Sequence, residues 1–226
     1  MNKIIIDNIT LQKGNELILN DIKIELRVGH SYLLYGKNGA GKTSLLRCLT
    51  GMEKSFKGNI SSNGDDSVDQ NITYLPDTYS LHDTIEIGAY IQSFRLLFEA
   101  NGLFDAERFK RTHDMFNINS FLDKNFGSLS KGMIKMVFIT ITMMKKSNLI
   151  VLDEPFEGLD IAMKKGLLEL LMDEVSRDKL LIVSSHEVAE IYKQFDQLLG
   201  IRGGKITSVL NKGEAFTYEE LIQQIL

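Results

Sequence analysis

A single cysteine, Cys48, is all the thiol chemistry this sequence holds, which excludes an intrachain disulfide framework and fits a reducing compartment. Lying on an expected helix, it reads as a buried, inert thiol. Lys and Arg never run longer than pairs such as Lys145-Lys146 and Lys164-Lys165, and the formal charge is −4. A phosphate-binding stripe is therefore missing, nucleic acid is not expected as a partner, and the pairs read as solvated helix faces. Long apolar runs are absent too: the longest, residues 137–144, has eight residues, two of them threonine, against the roughly 18 that a membrane span needs. The opening Met1-Asn-Lys-Ile-Ile-Ile-Asp7 is too short an apolar run for a secretory signal. A soluble chain is expected, touching a membrane only through a partner. Internal repeats and low-complexity tracts are also lacking, and 226 residues suffice for one α/β domain with a full-sized core.

What the sequence does have is concentrated in residues 36–43, Gly-Lys-Asn-Gly-Ala-Gly-Lys-Thr. An apolar run, Tyr32 to Tyr35, precedes it, and a helical run begins at Ser44. Strand, glycine-rich loop and helix make the context of a phosphate-binding P-loop. Without side chains at Gly36, Gly39 and Gly41, successive backbone N–H groups turn inward toward a phosphate. Lys37, Asn38, Ala40 and Ser44 complete the wrap, and the helix adds its unpaired N-terminal donors and positive dipole end. Lys42 would reach the β- and γ-phosphates, and the Thr43 hydroxyl would serve Mg2+. A nucleoside triphosphate is the expected ligand.

Around this loop the chain reads as alternating strands and helices. Strands are expected at 3–11 and 17–26, the second with Ile18, Asn20, Ile22, Ile24 and Leu26 on one face, and Gly51 reads as the C-cap of the loop helix. His30 reads as a loop residue, 59–69 as a hairpin and loop, and 71–75 as a strand stopped by Pro76. From 84 to 126 the pattern turns helical, broken at Asn101-Gly102, and holds seven of the twelve phenylalanines. Those rings suit either a small apolar cluster of their own or a docking face for a partner. A helix at 130–146, a strand at 148–152, a helix at 161–175, a strand at 179–183, a helix at 187–195 and two short strands follow. The strands Leu149 to Leu152 and Leu180 to Val183 are apolar at every position, which predicts a mainly parallel sheet covered on both faces. A capping box at Thr217-Tyr-Glu-Glu220 opens a last amphipathic helix.

Two carboxylates, Asp153 and Glu154, leave a buried strand at its C-terminal end, where ligands of open α/β sheets gather. Asp153 suits a hold on Mg2+, and Glu154 can orient and deprotonate an attacking water. Between the P-loop and this pair stands Leu129-Ser-Lys-Gly-Met133, with Ser130 as N-cap and Gly132 keeping the first helical turn open. Gly158-Leu-Asp160 and Ser184-Ser-His186 follow, and His186 at a strand end reads either as a structural residue or as a hydrogen-bond partner for a γ-phosphate.

In this order and spacing the motifs resemble the nucleotide-binding subunit of an ATP-binding cassette (ABC) transporter, over about residues 4–202. The resemblance implies an α/β P-loop NTPase fold: a mainly parallel central sheet flanked by helices, an N-terminal antiparallel β part and an inserted helical subdomain. One domain over 1–226 is implied, with its ATP-binding core in 1–83 and 131–226 and the helical subdomain, ending in the signature motif, in 84–130. Residues 36–43 correspond to the Walker A loop, Asp153 to the Walker B aspartate, Glu154 to the catalytic glutamate and His186 to the switch histidine. Residues 129–133 match the signature motif, and 157–160 the D-loop. ATP and Mg2+ are the implied cofactors. An integral-membrane permease gripped by the helical subdomain is one implied partner, and a second ATPase subunit, whose closing would place Ser130 and Gly132 on the γ-phosphate in trans, is the other. The implied location is cytoplasmic, peripheral on the inner face of the cell membrane.

Departures accompany the match. The family's Q-loop glutamine falls at Asp77, which puts a shorter acid near the metal. The aromatic that stacks on adenine falls near Lys13, and no aromatic stands between Met1 and Ser31. Stacking contributes about 0.5–1.5 kcal/mol, so its loss should weaken binding by about tenfold at most. Lys131 and Met133 replace the signature's glycine and glutamine, as in exporters of the ABC-2 type. The alternative reading is a non-transport cassette ATPase acting on nucleic acid or the ribosome, or in a regulatory or immunity complex.

Overall fold

The computed structural model describes residues 3–62, 71–175, 179–186 and 191–214. In chain order the elements are β1 (Lys3–Lys13), β2 (Glu16–Arg27), β3 (Ser31–Tyr35), α1 (Lys42–Leu49), β4 (Lys57–Ser62) and β5 (Ile72–Leu75). Helices α2 (Ile87–Ala100), α3 (Ala106–Met115) and α4 (Lys131–Met143) follow, then β6 (Leu149–Leu152), α5 (Ile161–Val175), β7 (Leu180–Ser185), β8 (Gln197–Arg202) and β9 (Lys205–Asn211). One sheet is antiparallel with order β2-β1-β4. The other runs β5-β6-β7-β3-β8-β9 and is parallel except for the β8–β9 pair. Among the described residues no helix is long and apolar enough to cross a membrane.

Alternation in the buried strands sends side chains two ways and so builds two cores. Tyr32, Leu34, Leu149, Val151, Leu180 and Ile182 meet α1 and the antiparallel sheet, and Cys48 is buried there, its thiol pushed up to about 12 by desolvation. Leu33, Tyr35, Ile150, Leu152, Leu181 and Val183 meet α4 and α5 on the other face. The phenylalanine-rich segment has no separate cluster of its own. Phe116, Phe121 and Phe126 belong to the same core as Leu33 and Leu152, because α4, apolar along nearly its whole length, bridges the segment to the sheet.

Other expectations shift in detail. The buried face of β2 does not run unbroken from Ile18 to Leu26: Leu19, Ile22 and Leu26 are buried, and Ile18 and Ile24 only half-buried. An extra residue lies between the pairs Leu11–Leu19 and Ile9–Ile22, where Asp21 takes φ +52°. This bulge moves the apolar face by one position. Helix α4 stops at Met143 instead of 146, and Lys145 is no solvated residue: it is half-buried, its Nζ donating to the Ile72 carbonyl at 2.6 Å. Of the helix expected at 187–195, residues 191–195 show only a 3-10 turn, Tyr192–Gln194, and 187–190 lie outside the described residues. Of the hairpin and loop expected at 59–69, residues 59–62 end β4 and 63–69 lie outside the described residues, as does the helix expected after Thr217.

The sheet order fixes the site. β7 lies between β6 and β3, with Leu152 level with Val183 and Leu34 level with Ser184. The loop after β3, the acids after β6 and the histidine after β7 therefore emerge side by side at the C-terminal ends of these parallel strands.

Candidate active site

Tyr35 ends β3 and the loop begins at once. A Cβ on Gly36 would stand 2.3 Å from the Ile201 carbonyl oxygen, so only glycine fits against β8. Gly41, with φ +109°, is the N-cap of α1 and receives the Leu45 N–H on its carbonyl at 2.9 Å. Its left-handed backbone turns the loop into the helix without steric cost. Lys42 is 6% exposed and donates to the Gly36 carbonyl at 2.7 Å, which folds the ammonium back over the loop. A cleft of about 390 Å³ is lined by residues 37–44 with Glu16, Ile18, Asp77 and Glu154. Lys37, Asn38 and Gly39 are exposed, Ala40 is buried and Ser44 half-buried.

The two acids have different surroundings. Asp153 is fully buried, and its Oδ1 accepts from the Ser184 hydroxyl while its Oδ2 has no hydrogen-bond partner. Burial pushes this carboxyl above the usual range, and the hydroxyls of Ser184 and Thr43 beside it pull the other way. Glu154 has φ +50°, uncommon for a residue with a Cβ. Its N–H donates to Ser184 Oγ at 2.9 Å, and its carbonyl accepts from Lys135 Nζ at 2.8 Å. Glu154 Oε2 accepts from His186 Nδ1 at 2.9 Å and from the His186 backbone N–H at 3.2 Å. A carboxylate only accepts, so Nδ1 carries the proton. Oε1 lies 3.1 Å from Lys42 Nζ yet off the line of a hydrogen bond, so that contact is Coulombic.

Lys42, Asp153, Glu154 and His186 thus meet at one place. Asp77 reaches the same cleft with one oxygen engaged, Oδ1 lying 3.4 Å from Lys135 Nζ. Ser130 and Gly132 do not line the cleft. Ser130 Oγ caps α4 by accepting the Met133 N–H at 3.2 Å. Gly132 is required by a close approach more than by an open helical turn: a Cβ there would sit 2.4 Å from the Gly158 carbonyl oxygen. At the position of the missing adenine aromatic, Lys13 pairs with Glu53 at 3.3 Å. Two contributors had no role assigned from the sequence: Ser184, named only within its motif, and Lys135. Ser184 was visible as a hydroxyl ending an all-apolar strand, and Lys135 as the lone charge in Met133-Ile-Lys-Met-Val137.

A match to the ABC transporter family covers residues 19–157. The chain belongs to the ABC transporter family of ATP-binding subunits. It is 29% identical over 206 residues, 90% of this chain and 75% of the relative, to an uncharacterized ABC transporter ATP-binding protein of Methanocaldococcus jannaschii. It is 30% identical over 190 residues to the SkfA peptide export ATP-binding protein SkfE of Bacillus subtilis, covering 82% of this chain and 79% of that one. A solved ATP-binding subunit of an ABC transporter superposes with a TM-score of 0.80 at 22% identity, covering 98% of each chain. This ABC subunit is accordingly an ATP-binding, ATP-hydrolysing enzyme, and homologous systems pair such a subunit with a permease and a second ATPase subunit.

Proposed function

We propose that this subunit powers transport through a separate permease, using Glu154 as the general base of ATP hydrolysis. The observation that carries the reading is the meeting of Lys42, Asp153, Glu154 and His186 at the C-terminal ends of neighbouring parallel strands. Lys42 and the N–H groups at the start of α1 hold the phosphates. A phosphate in the cleft competes with Glu154 for Lys42 and frees Oε1 to accept a proton from water. His186 holds Oε2 and fixes the direction of the carboxylate.

The buried Oδ2 of Asp153 and the Thr43 hydroxyl are hard oxygen donors that fit Mg2+, with the second oxygen of Asp77 at the cleft edge as a weaker third. When bound, Mg2+ neutralises charge on the phosphates.

For the permease, the supporting feature is a groove of about 1110 Å³ between the β4–β5 side of the core and the helices of the inserted segment. Met52, Phe56, Tyr74, Phe94, Phe98 and Phe138 line it, Met52 being 60% exposed. Docking there holds the subunit peripherally at the inner face of the membrane. Relatives include both a zinc import subunit of Rickettsia bellii and the peptide export subunit, so the proposal stops at permease-coupled transport. Glu154→Gln should lower steady-state ATP turnover by about 10²–10⁴-fold while ATP binding survives. Turnover within a few-fold of the parent would show that the base lies elsewhere.

A further inference from the structure

Helix α4 carries one lysine at a buried position, Lys135, 6% exposed beside buried Met136, Val137 and Ile139. A buried ammonium is unfavourable unless its charge and donors are met. Both of its contacts belong to the active site. It donates to the Glu154 carbonyl at 2.8 Å and to Asp77 Oδ1 at 3.4 Å. Three elements therefore converge on one nitrogen: α4, the loop after β5 and the exit from β6.

The contact with Glu154 falls where the backbone most needs it. At φ +50° this residue keeps its conformation only if its surroundings over-determine it. Ser184 holds the N–H side of the residue and Lys135 the carbonyl side. The direction of the carboxylate, between Lys42 and His186, follows from that backbone. Asp77, in turn, is partly open to the cleft, its side chain 36% exposed. Whatever draws Asp77 into the cleft acts on Lys135, and through it on Glu154.

We propose that Lys135 is a positioning residue for hydrolysis, its ammonium tying the Glu154 carbonyl to the Asp77 carboxylate so that the general base and the cleft-lining acid are set together. The proposal rests on Glu154 being the base.

The test is ATPase kinetics on the full-length subunit, with Glu154→Gln run in parallel and titration of a non-hydrolysable ATP analogue for each variant. Lys135→Met should lower kcat by about 10–100-fold, the scale of a misplaced catalytic group, with KM and analogue binding within about threefold. Lys135→Arg should restore most of the loss, and Asp77→Asn should cost less on the Lys135→Met background than it does in the parent. If Lys135→Met does not fold, Lys135→Gln replaces it. Its amide still donates to the Glu154 carbonyl but offers Asp77 no charge, so kcat falls and adding Asp77→Asn costs less than it does in the parent. A folded Lys135→Met (or, in its place, Lys135→Gln) with kcat within twofold of the parent, while Glu154→Gln is inactive, overturns the positioning role and leaves the base assignment standing. Loss of kcat matched by loss of analogue binding makes Lys135 structural, and additive effects of the two substitutions remove the link to Asp77. An active Glu154→Gln overturns both readings.

Discussion

Asp153 shows how function and stability oppose each other at a single residue. Its carboxylate is fully buried with one oxygen unpartnered, a group that a stability-optimised core would not contain. Burial raises its pKa from the ordinary 3.8, so folding favours the protonated form. Above the folded-state pKa this is a constant cost to stability. As pH falls through that pKa the cost shrinks, and below the unfolded-state value it is gone. Asp153→Asn keeps the shape and removes the charge. In metal-free buffer near pH 7 it should raise unfolding stability by about 1–3 kcal/mol, the scale of one unsatisfied buried group, while abolishing turnover. Denaturant titrations at several pH values check the sign: the gap between variant and parent should close toward acid. A gap that widens toward acid would mean that the carboxylate is stabilised where it lies.

At the scale of elements, α3 is fastened to α5 by charge. Arg108 is 1% exposed, its guanidinium 3.0 Å from Asp105 and 3.4 Å from the fully buried Glu174, which Lys179 also contacts. Removing one side of a buried pair costs about 3–5 kcal/mol because the other charge stays behind. Arg108→Met should sit near the lower figure, since Lys179 remains for Glu174, and urea denaturation would measure it. Glu174→Gln added to Arg108→Met should recover part of the loss. A single-variant loss below about 1 kcal/mol would mean that Lys179 alone satisfies the acid. No local pattern marks this fastening, whose partners stand 66 residues apart. The same holds for Lys135 and Asp77, 58 apart, and for the bulge at Asp21, which depends on strand pairing. By contrast, the P-loop was legible because turn, close approach and helix start are all written in residues 36–44. The parallel sheet was legible for a similar reason: the runs Leu149 to Leu152 and Leu180 to Val183 are apolar at every position, a local pattern that needs no partner to be read.

At the scale of the molecule, the cleft and the signature motif do not meet within one chain. Residues 37–44 line the cleft, while Ser130 and Gly132 stand at another helix start, packed against the loop at Gly158. Two helix N-termini able to face a phosphate, only one of them at the cleft, suit a two-fold pairing in which each chain covers the other's site. In such a pair every contact occurs twice, so one bound triphosphate per cleft closes both. Blocking hydrolysis should trap the closed form. Glu154→Gln with saturating ATP should sediment at twice the monomer mass, and return to monomer when ATP is replaced by ADP. Ser130→Phe in the same background fills the space a phosphate would take beside α4. It should stay monomeric with ATP while binding to the P-loop remains within about tenfold, since the Ncap loss costs only about 1 kcal/mol of helix stability. A Glu154→Gln protein that remains monomeric at saturating ATP would place the second half of its site on a different subunit. A dimer insensitive to Ser130→Phe would mean that the chains pair through some other surface.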